Sequence, residues 1–253
     1  MKPLIGAQLY TVRDYARTPE EIRDTFIKIK NIGYTTVQVS GLGAIAPERM
    51  KDILDETGLT ISLTHVAYDR LINDLPGLIK EHKLWGCKHM GLGAMPAEFR
   101  TLDGLMRFCE IFNSVCKSLA SEDMKFYYHN HRFELEKFGS KTMLDIIAEN
   151  TDPSVFGFTL DFYWLVAGGG NPATWIKKLA GRIENIHLKD MRVVNDRADM
   201  CEVGLGNLDW LDILTVGEKY GTKNAFVEQD ICDKNPFDSL DISLKYLNSI
   251  GYR

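Results

Sequence analysis

Four stretches of the chain decide the fold, because each is an apolar run that ends in polar residues. They are Phe126–His131 (FYYHNH), Phe156–Asp161 (FGFTLD), Ile183–Asp190 (IENIHLKD) and Ala225–Asp230 (AFVEQD). The steps between their polar ends are 32, 26 and 41 residues, counted at His129, Asp161, His187 and Glu228. One strand, one helix and two loops take about 30 residues. The polar groups therefore recur roughly once per β/α unit.

The whole chain continues this alternation, which predicts an α/β fold of eight strands and eight helices. The predicted strands are Ile5–Thr11, Thr36–Ser40, Leu59–His65, His89–Gly93, Lys125–His131, Val155–Asp161, Ile183–Leu188 and Ala225–Glu228. Predicted helices run from Thr18 to Gly33, from Ala46 to Gly58, over 70–84, 101–121 and 140–149, onward from Asn171, and over 209–220 and 236–248; a long connection covers Arg192 to Asn207. Such alternation is typical of a parallel sheet with helical crossovers.

The length favours a closed barrel in a single domain. A (β/α)8 TIM barrel takes about 250 residues, and this chain has 253. An open doubly wound sheet is the competing topology, but the strand count and the lack of a GxGxxG motif after the first strand favour the barrel. No linker rich in Pro, Gly or Ser divides residues 1–253.

Composition excludes several classes of protein. A net charge of -5 and a pI near 5.7 argue against a nucleic-acid partner, which requires a basic surface. The sequence contains no apolar run of about 18 residues, the length that would predict a membrane span. Five scattered cysteines without a CxxC pair indicate reduced thiols. Met1–Gly6 leads directly into a strand pattern without a signal peptide. We expect a cytoplasmic protein.

The strand ends form a candidate metal site, because these ends converge at one mouth of a barrel. A buried carboxylate is costly unless it is paired, hydrogen-bonded or bound to metal, and imidazole binds Mn, Fe, Co, Ni or Zn. The expected ligands are His129, Asp161, His187 and Glu228. The alternatives are a helix cap for Asp161, a core position for His187 and a structural salt bridge for Glu228.

Other polar groups near the same ends are candidates for catalysis and substrate binding. His129 and His131 alternate with Asn130 and so face the same way, one to ligate metal and the other to meet substrate. Glu134 is expected to reach over the site, and Lys189 to neutralise a developing oxyanion. We therefore expect catalytic roles for Glu228, Glu134, His131 and Lys189. The residues expected to contact substrate are His65, Gln8, Trp164 and Asn130.

Five motifs together resemble a known group of proteins. They are His129–Glu134 (HNHRFE), Leu160–Trp164 (LDFYW), His187–Met191 (HLKDM), Glu202–Trp210 (EVGLGNLDW) and Val227–Asp230 (VEQD). The chain resembles, over nearly its whole length, the sugar phosphate isomerase/epimerase superfamily of xylose isomerase-like TIM barrels. The resemblance implies a divalent metal, often Mn, with Zn, Co, Fe or Mg as alternatives. It also implies a sugar or sugar derivative as the substrate.

This chain departs from the pattern of ketose 3-epimerases in that superfamily, which use two glutamates as ligands and proton carriers. Glu228, Asp161 and His187 match the expected positions, but His129 stands where the first glutamate is usual. Trp164 stands where these epimerases often carry histidine. The departure at His129 removes one acid/base carboxylate or passes its role to Glu134.

The expected function is a metal-dependent sugar isomerase or epimerase that abstracts a proton α to a carbonyl through a metal-stabilised enediolate. Glu228 or Glu134 would take the proton, with His129 or His131 as the partner. Two alternatives stay open. One is a lyase, dehydratase or deglycosidase acting on a keto-sugar, keto-inositol or 3-keto-glycoside. The other is a non-catalytic sugar-binding or partner-dependent subunit. Association into a homo-oligomer also stays open.

Overall fold

The computed structural model describes all 253 residues, and its centre is a closed parallel barrel. In chain order the strands are β1 (Leu4–Gln8), β2 (Thr36–Val39), β3 (Thr60–His65), β4 (His89–Leu92), β5 (Lys125–His129), β6 (Lys137–Phe138), β7 (Lys141–Thr142), β8 (Phe156–Asp161), β9 (Asn185–Leu188), β10 (Asp190–Val194), β11 (Arg197–Cys201) and β12 (Asn224–Val227). The barrel order is β1-β12-β9-β8-β5-β4-β3-β2. This confirms the predicted single (β/α)8 architecture.

Helices surround the barrel and begin and end where the sequence signals them. They are α1 (Pro19–Ile32), α2 (Pro47–Thr57), α3 (Tyr68–Asn73), α4 (Leu75–Trp85), α5 (Leu102–Ala120), α6 (Met143–Asn150), α7 (Phe162–Ala167), α8 (Pro172–Lys178), α9 (Trp210–Lys219) and α10 (Pro236–Ser249). Thr18 and Glu21 form a capping box at the start of α1, and Gly33 ends it at φ 119°. Glycine adopts this left-handed conformation without steric cost.

Several predicted boundaries are wrong, each for a local reason. The expected helix over 70–84 is two helices, α3 and α4, which meet at Asp74 just before Pro76, because proline favours the first turn of a new helix. The first strand ends at Gln8, whose side chain accepts a hydrogen bond from Tyr10 N and begins a 3-10 segment, Leu9–Tyr15. The fifth strand ends at His129, so His131 lies beyond it.

The long connection over 192–207 holds structure that the sequence analysis did not assign. It contains most of an antiparallel hairpin formed by β10 and β11. The turn residues Asn195 and Asp196 have φ values of 50° and 61°. Positive φ at both central residues is the geometry of tight hairpin turns, and Asn and Asp tolerate it. The Asn-Asp pair was therefore an available signal.

The barrel is filled below its mouth by large side chains from three strands. Leu63, Tyr127 and Phe226 form a buried cluster of their own, and the Phe226 ring lies 6.4 Å from the His187 ring. A Cβ on Gly6 would lie 2.7 Å from the Phe226 ring, and a Cβ on Gly157 would lie 2.5 Å from the Tyr127 ring. These glycines make room for the aromatic floor under the polar mouth. None of the helices combines the length and apolar character needed to cross a membrane.

Candidate metal centre

Four polar side chains from four different strand ends meet at the carboxyl end of the barrel. His129 and Asp161 are the last residues of β5 and β8, His187 lies in β9, and Glu228 directly follows β12. One potential ligand atom from each lies within 4.8 Å of the other three. All four residues are at most 5% exposed. Barrel closure thus brings together groups that are far apart in the sequence.

The hydrogen bonds of the two imidazoles direct their lone pairs toward the carboxylates. The Nδ1 atom of His129 lies 2.8 Å from the Gly93 carbonyl oxygen, and Nε2 of His187 lies 2.6 Å from Gln38 Oε1. Carbonyl oxygens only accept, so these nitrogens carry the protons and donate. In the neutral rings the opposite nitrogens present lone pairs to the site. Burial lowers the pKa of His187, but the Glu228 and Asp161 carboxylates raise it overall, which favours a proton on its Nδ1 while no cation takes that place. Metal-ligating histidines use this outer hydrogen bond to set tautomer and ring orientation.

The inward lone pairs face carboxylate oxygens at short distances. His187 Nδ1 lies 2.8 Å from Glu228 Oε2 and 3.8 Å from Asp161 Oδ2, and His129 Nε2 lies 3.4 Å from Asp161 Oδ2. Neither His187 Nδ1 nor Glu228 Oε2 has a hydrogen-bond partner of good geometry, although both are buried. Side chains converging in this way could hold a metal ion between them. Two imidazole nitrogens and two carboxylates fit Mn²⁺, Fe²⁺, Co²⁺ or Zn²⁺.

Electrostatics keep both carboxylates ionised despite their burial. Burial raises the pKa of Asp161, but the Lys189 ammonium and the neighbouring histidines hold that pKa well below its usual range. The Lys189 ammonium and, in its protonated form, the His187 ring likewise lower the pKa of Glu228 against the effect of burial. An ionised carboxylate is the form that binds metal and accepts a proton.

Asn130 does not lie among the mouth-lining residues, and its contact with substrate stays a prediction. Its side chain is fully buried. The Oδ1 atom accepts a hydrogen bond from Asp161 N at 3.0 Å, and Nδ2 donates to the Asp161 carbonyl at 3.3 Å. Because both ends of the amide are hydrogen-bonded to the backbone of Asp161, Asn130 positions that residue.

Glu134 also departs from its expected place over the site, since it is fully buried and absent from the mouth lining. It accepts hydrogen bonds from the Tyr128 hydroxyl at 2.6 Å and from His131 N at 2.8 Å. Burial raises the pKa of Glu134 to about 7. The carboxyl therefore supports the backbone of His131 from behind.

His131 lines the mouth, and Trp164 packs beside it without lining the cavity. The His131 ring lies 4.8 Å from that of His129 and 5.5 Å from that of Trp164, so the two histidines do share a side even though only His129 is in the strand. Burial lowers the pKa of His131 to about 3, so its ring is neutral at pH 7. The Nδ1 atom of His131 and the Trp164 indole N–H have no partner.

The mouth opens into a cavity of about 240 Å³, a size suited to a small molecule. Gln8 and His65 line it, and the Nε2 atom of each is buried without a partner. Several nearby residues were not predicted, among them Gln38, the hydrogen-bond partner of His187. The remaining lining residues are Tyr10, Ser40, Gly93, Ala94, His129, His131, Lys189, Glu228 and Asp230. Asp230 ended one of the quoted strand-end stretches and Gln38 lay within a predicted strand, and those positions were their only signal.

Asp190 is a further buried carboxylate, and it organises the loop after the hairpin. Its oxygens accept hydrogen bonds from the backbone N–H groups of Met191, Gly204, Gly206 and Leu208 and from the Trp210 indole, at 2.7 to 3.3 Å. A Cβ on Gly206 would lie 2.3 Å from Asp190 Oδ1. The HLKD motif therefore serves the site with His187 and Lys189 and the fold with Asp190.

Fold and site together define the class of protein. A closed eight-stranded parallel barrel carries a buried His/Asp/His/Glu group at its carboxyl end. The sequence pattern of the xylose isomerase-like TIM barrel family matches residues 26–248. The chain belongs to this family, as the sequence motifs had indicated.

Solved structures similar to this chain share its fold. A sugar phosphate isomerase/epimerase from Parabacteroides distasonis is 23% identical with a TM-score of 0.79, and the match covers 98% of each chain. An L-ribulose 3-epimerase is 14% identical with a TM-score of 0.74, covering 98% of this chain and 94% of its own. Similarity at these identities establishes the architecture alone.

Two relatives match by sequence over part of the chain. They are inosose dehydratases of Salmonella agona and Salmonella typhimurium, each 25% identical over 164 residues. The match covers 56% of this chain and 52% of each relative. The chain thus spans about half the length of the curated relatives it matches.

Proposed function

We propose that this protein is a divalent-metal-dependent enzyme that removes a proton α to the carbonyl of a sugar or sugar-derived ketone, as isomerases and epimerases do. The observation that carries the proposal is the convergence of two inward imidazole lone pairs and two ionised carboxylates within 4.8 Å, at the barrel mouth. Family membership supports the same class. We take Mn²⁺ as the first ion to test, since imidazole and carboxylate ligands both suit it.

Each polar group of the mouth has a distinct part in this chemistry. A bound divalent ion supplies a Lewis acid that stabilises negative charge on a carbonyl oxygen. Glu228 lines the cavity as an ionised carboxylate and is the group we assign to accept the α-proton. Neutral His131 is the partner that returns or relays it. The unpartnered amide of Gln8 and imidazole of His65 are placed to bond substrate oxygens.

Elimination is the second candidate, because of the histidine at the end of β5. A two-glutamate exchange needs a carboxylate on each side of the reacting carbon, but this position holds His129, whose Nδ1 proton bonds Gly93. Elimination needs one base for the α-proton and a proton for the departing hydroxyl or alkoxide. Glu228 takes the α-proton, and that same proton passes to the leaving group with neutral His131 as the relay. The partial similarity to inosose dehydratases points the same way. A keto-sugar, keto-inositol or 3-keto-glycoside is the corresponding substrate.

The net charge and the shape of the site both favour a small-molecule substrate. The net charge of -5 offers no basic surface for nucleic acid, and the mouth is a cavity, not an extended groove. All five cysteines are unpaired, which supports our placement of the enzyme in the reducing cytoplasm.

The test combines metal content with isotope exchange. We expect about one divalent ion per chain in the reconstituted protein, held at a single site of four ligands. With ketoses and keto-glycosides in D₂O, deuterium should enter one substrate carbon. Exchange with an isomer as product identifies an isomerase or epimerase, and loss of water or of an aglycone identifies the eliminating enzyme.

The Glu228→Gln variant should lose exchange and bind metal more weakly, since it lacks both the base and a charged ligand. Glu122→Gln, at an exposed position, serves as the control and should behave like the parent protein. Absence of metal after reconstitution, with no exchange on any substrate, would reject the proposal in favour of a binding or partner-dependent subunit.

A further inference from the structure

Lys189 places a buried cation against the same carboxylates that form the candidate metal centre. Its Nζ atom lies 3.0 Å from Asp161 Oδ2, 3.0 Å from Glu228 Oε2 and 3.1 Å from Asp230 Oδ2. The side chain is 1% exposed. One ammonium thus bridges two expected metal ligands and a third carboxylate that is not among them.

The carboxylate oxygens that contact this ammonium are the ones turned toward the imidazole lone pairs. Asp161 Oδ2 faces both His129 Nε2 and His187 Nδ1. Glu228 Oε2 faces His187 Nδ1. A divalent ion held by these four residues and the Lys189 ammonium are therefore attracted to the same two oxygen atoms. At such distances two cations also repel each other strongly in a buried site.

Asp230 gives the ammonium a partner outside the metal centre. Its carboxylate is 22% exposed and lies at the edge of the same cavity. Arg13 donates two hydrogen bonds to the Asp230 backbone carbonyl, both at 3.1 Å, and so fixes that segment. The Lys189 Nζ atom also lies 5.4 Å from the centre of the Trp164 ring. Asp230 and Trp164 together can hold the ammonium beside the centre.

We propose that Lys189 is a built-in competitor of the divalent ion and that Asp230 is the positioning residue that draws its ammonium aside, so that this pair sets the metal affinity. The inference rests on the proposed metal centre. The three carboxylates and the ammonium carry a formal charge of -2, which one divalent ion neutralises. The pair therefore leaves room for one such ion while weakening its binding.

The two members of the pair should affect metal binding in opposite directions. Lys189→Met removes the competing charge and keeps a long side chain, so we expect Mn²⁺ affinity to rise on the order of 10- to 100-fold, the usual size of outer-shell effects. Asp230→Asn keeps the shape of the side chain but removes its charge, so the ammonium pairs only with Asp161 and Glu228. The Mn²⁺ affinity should therefore fall by a similar factor. In the Lys189→Met background, Asp230→Asn should have a much smaller effect, because Asp230 acts through Lys189.

The experiment is titration of the metal-stripped protein with Mn²⁺, following the free ion by its electron paramagnetic resonance signal. Melting temperatures with and without Mn²⁺ provide a second readout. Stripped Lys189→Met should melt below the stripped parent, since its carboxylates lose a buried partner, and should gain more from Mn²⁺. Asp233→Asn, an exposed acid in the same loop with an exposure of 68%, controls for general charge effects and should leave affinity within about twofold.

The outcomes separate this inference from the proposed function. Opposite shifts for Lys189→Met and Asp230→Asn, with the smaller effect in the double variant, support competition. If the parent binds Mn²⁺ and the variants bind it equally well, the metal centre stands and competition is refuted. If Lys189→Met does not fold, the Asp230→Asn variant is sufficient as a test, because an Mn²⁺ affinity equal to that of the parent would refute competition. Failure of the parent to bind Mn²⁺, Co²⁺ or Zn²⁺ would refute both.

Discussion

Replacing Glu134 with Gln should remove a pH-dependent loss of stability. Burial raises the pKa of the Glu134 carboxyl from 4.5 to about 7, and the hydrogen bonds from Tyr128 and His131 only partly oppose this effect. Between these two pH values the unfolded chain has released the proton while the folded protein still holds it. The free energy of unfolding therefore falls as pH rises through this window.

The size of the effect follows from the pKa difference. Each pKa unit corresponds to about 1.4 kcal/mol, and the carboxyl is displaced by about 2.5 units, so the parent protein loses about 3 kcal/mol. Gln is neutral at every pH, and its amide can accept from His131 N and donate to the Tyr128 oxygen. We expect the Glu134→Gln variant to match the parent near pH 4.5 and to be more stable by about 2 to 3 kcal/mol at pH 8.

The assay is urea unfolding of the parent and the variant at pH 5, 6, 7 and 8. Other buried groups titrate in the same range, so the difference between the two proteins isolates Glu134. Glu136→Gln changes the same residue type at a nearby exposed position and should leave the difference near zero throughout. Parallel curves for the parent and Glu134→Gln across this range would refute the assigned burial effect.

Three further predictions concern the second layer of the site, the loop after the hairpin and the thiols. Gln38→Met removes the acceptor of the His187 Nε2 proton, so calorimetric titration should show Mn²⁺ affinity reduced on the order of 10- to 100-fold; unchanged affinity would mean that His187 keeps its tautomer without Gln38. Asp190→Ala leaves several buried N–H groups unsatisfied and should lower the free energy of unfolding by about 3 kcal/mol in urea. The exposed Asp52→Ala control should stay within about 0.5 kcal/mol, and an equal loss in both would contradict the role of Asp190. Cys232 is half-buried and the other four thiols are buried, so a disulfide reagent should label Cys232 in the native protein and the others only after unfolding; rapid labelling of a second thiol would contradict this packing.

Much of the architecture was predictable because its signals are local. Helix starts such as Thr18-Pro19 and stops such as Gly33 are properties of a few neighbouring residues. The hairpin of β10 and β11 was missed because its strands lie outside the barrel and charged residues interrupt both of them, so no long apolar run marks either strand. Pro76 divides the helix predicted over 70–84 because proline favours the first turn of a new helix. The proline was visible in the sequence, but the apolar periodicity on both sides of it favoured one continuous helix.

The candidate site was also predictable only in part. Strand-end position was enough to predict that His129, Asp161, His187 and Glu228 would be neighbours, because a parallel barrel gathers its strand ends. It was not enough to separate residues that face the mouth from those that support it. Asn130 and Glu134 carry the same functional groups as substrate-binding residues, yet they bond the backbone of Asp161 and His131.

By itself the sequence determined the alternation of strands and helices, the closed barrel and the types of ligand at its mouth, since these depend on periodicity and residue chemistry. Only the tertiary structure decided the direction of each side chain and the partners it meets across the barrel. Gln38 lies 149 positions from His187 in the chain, yet it sets the tautomer of that ring. Lys189 likewise meets Asp161, Glu228 and Asp230 only because the sheet closes. Such contacts depend on distances of a few ångströms, and sequence spacing does not specify them.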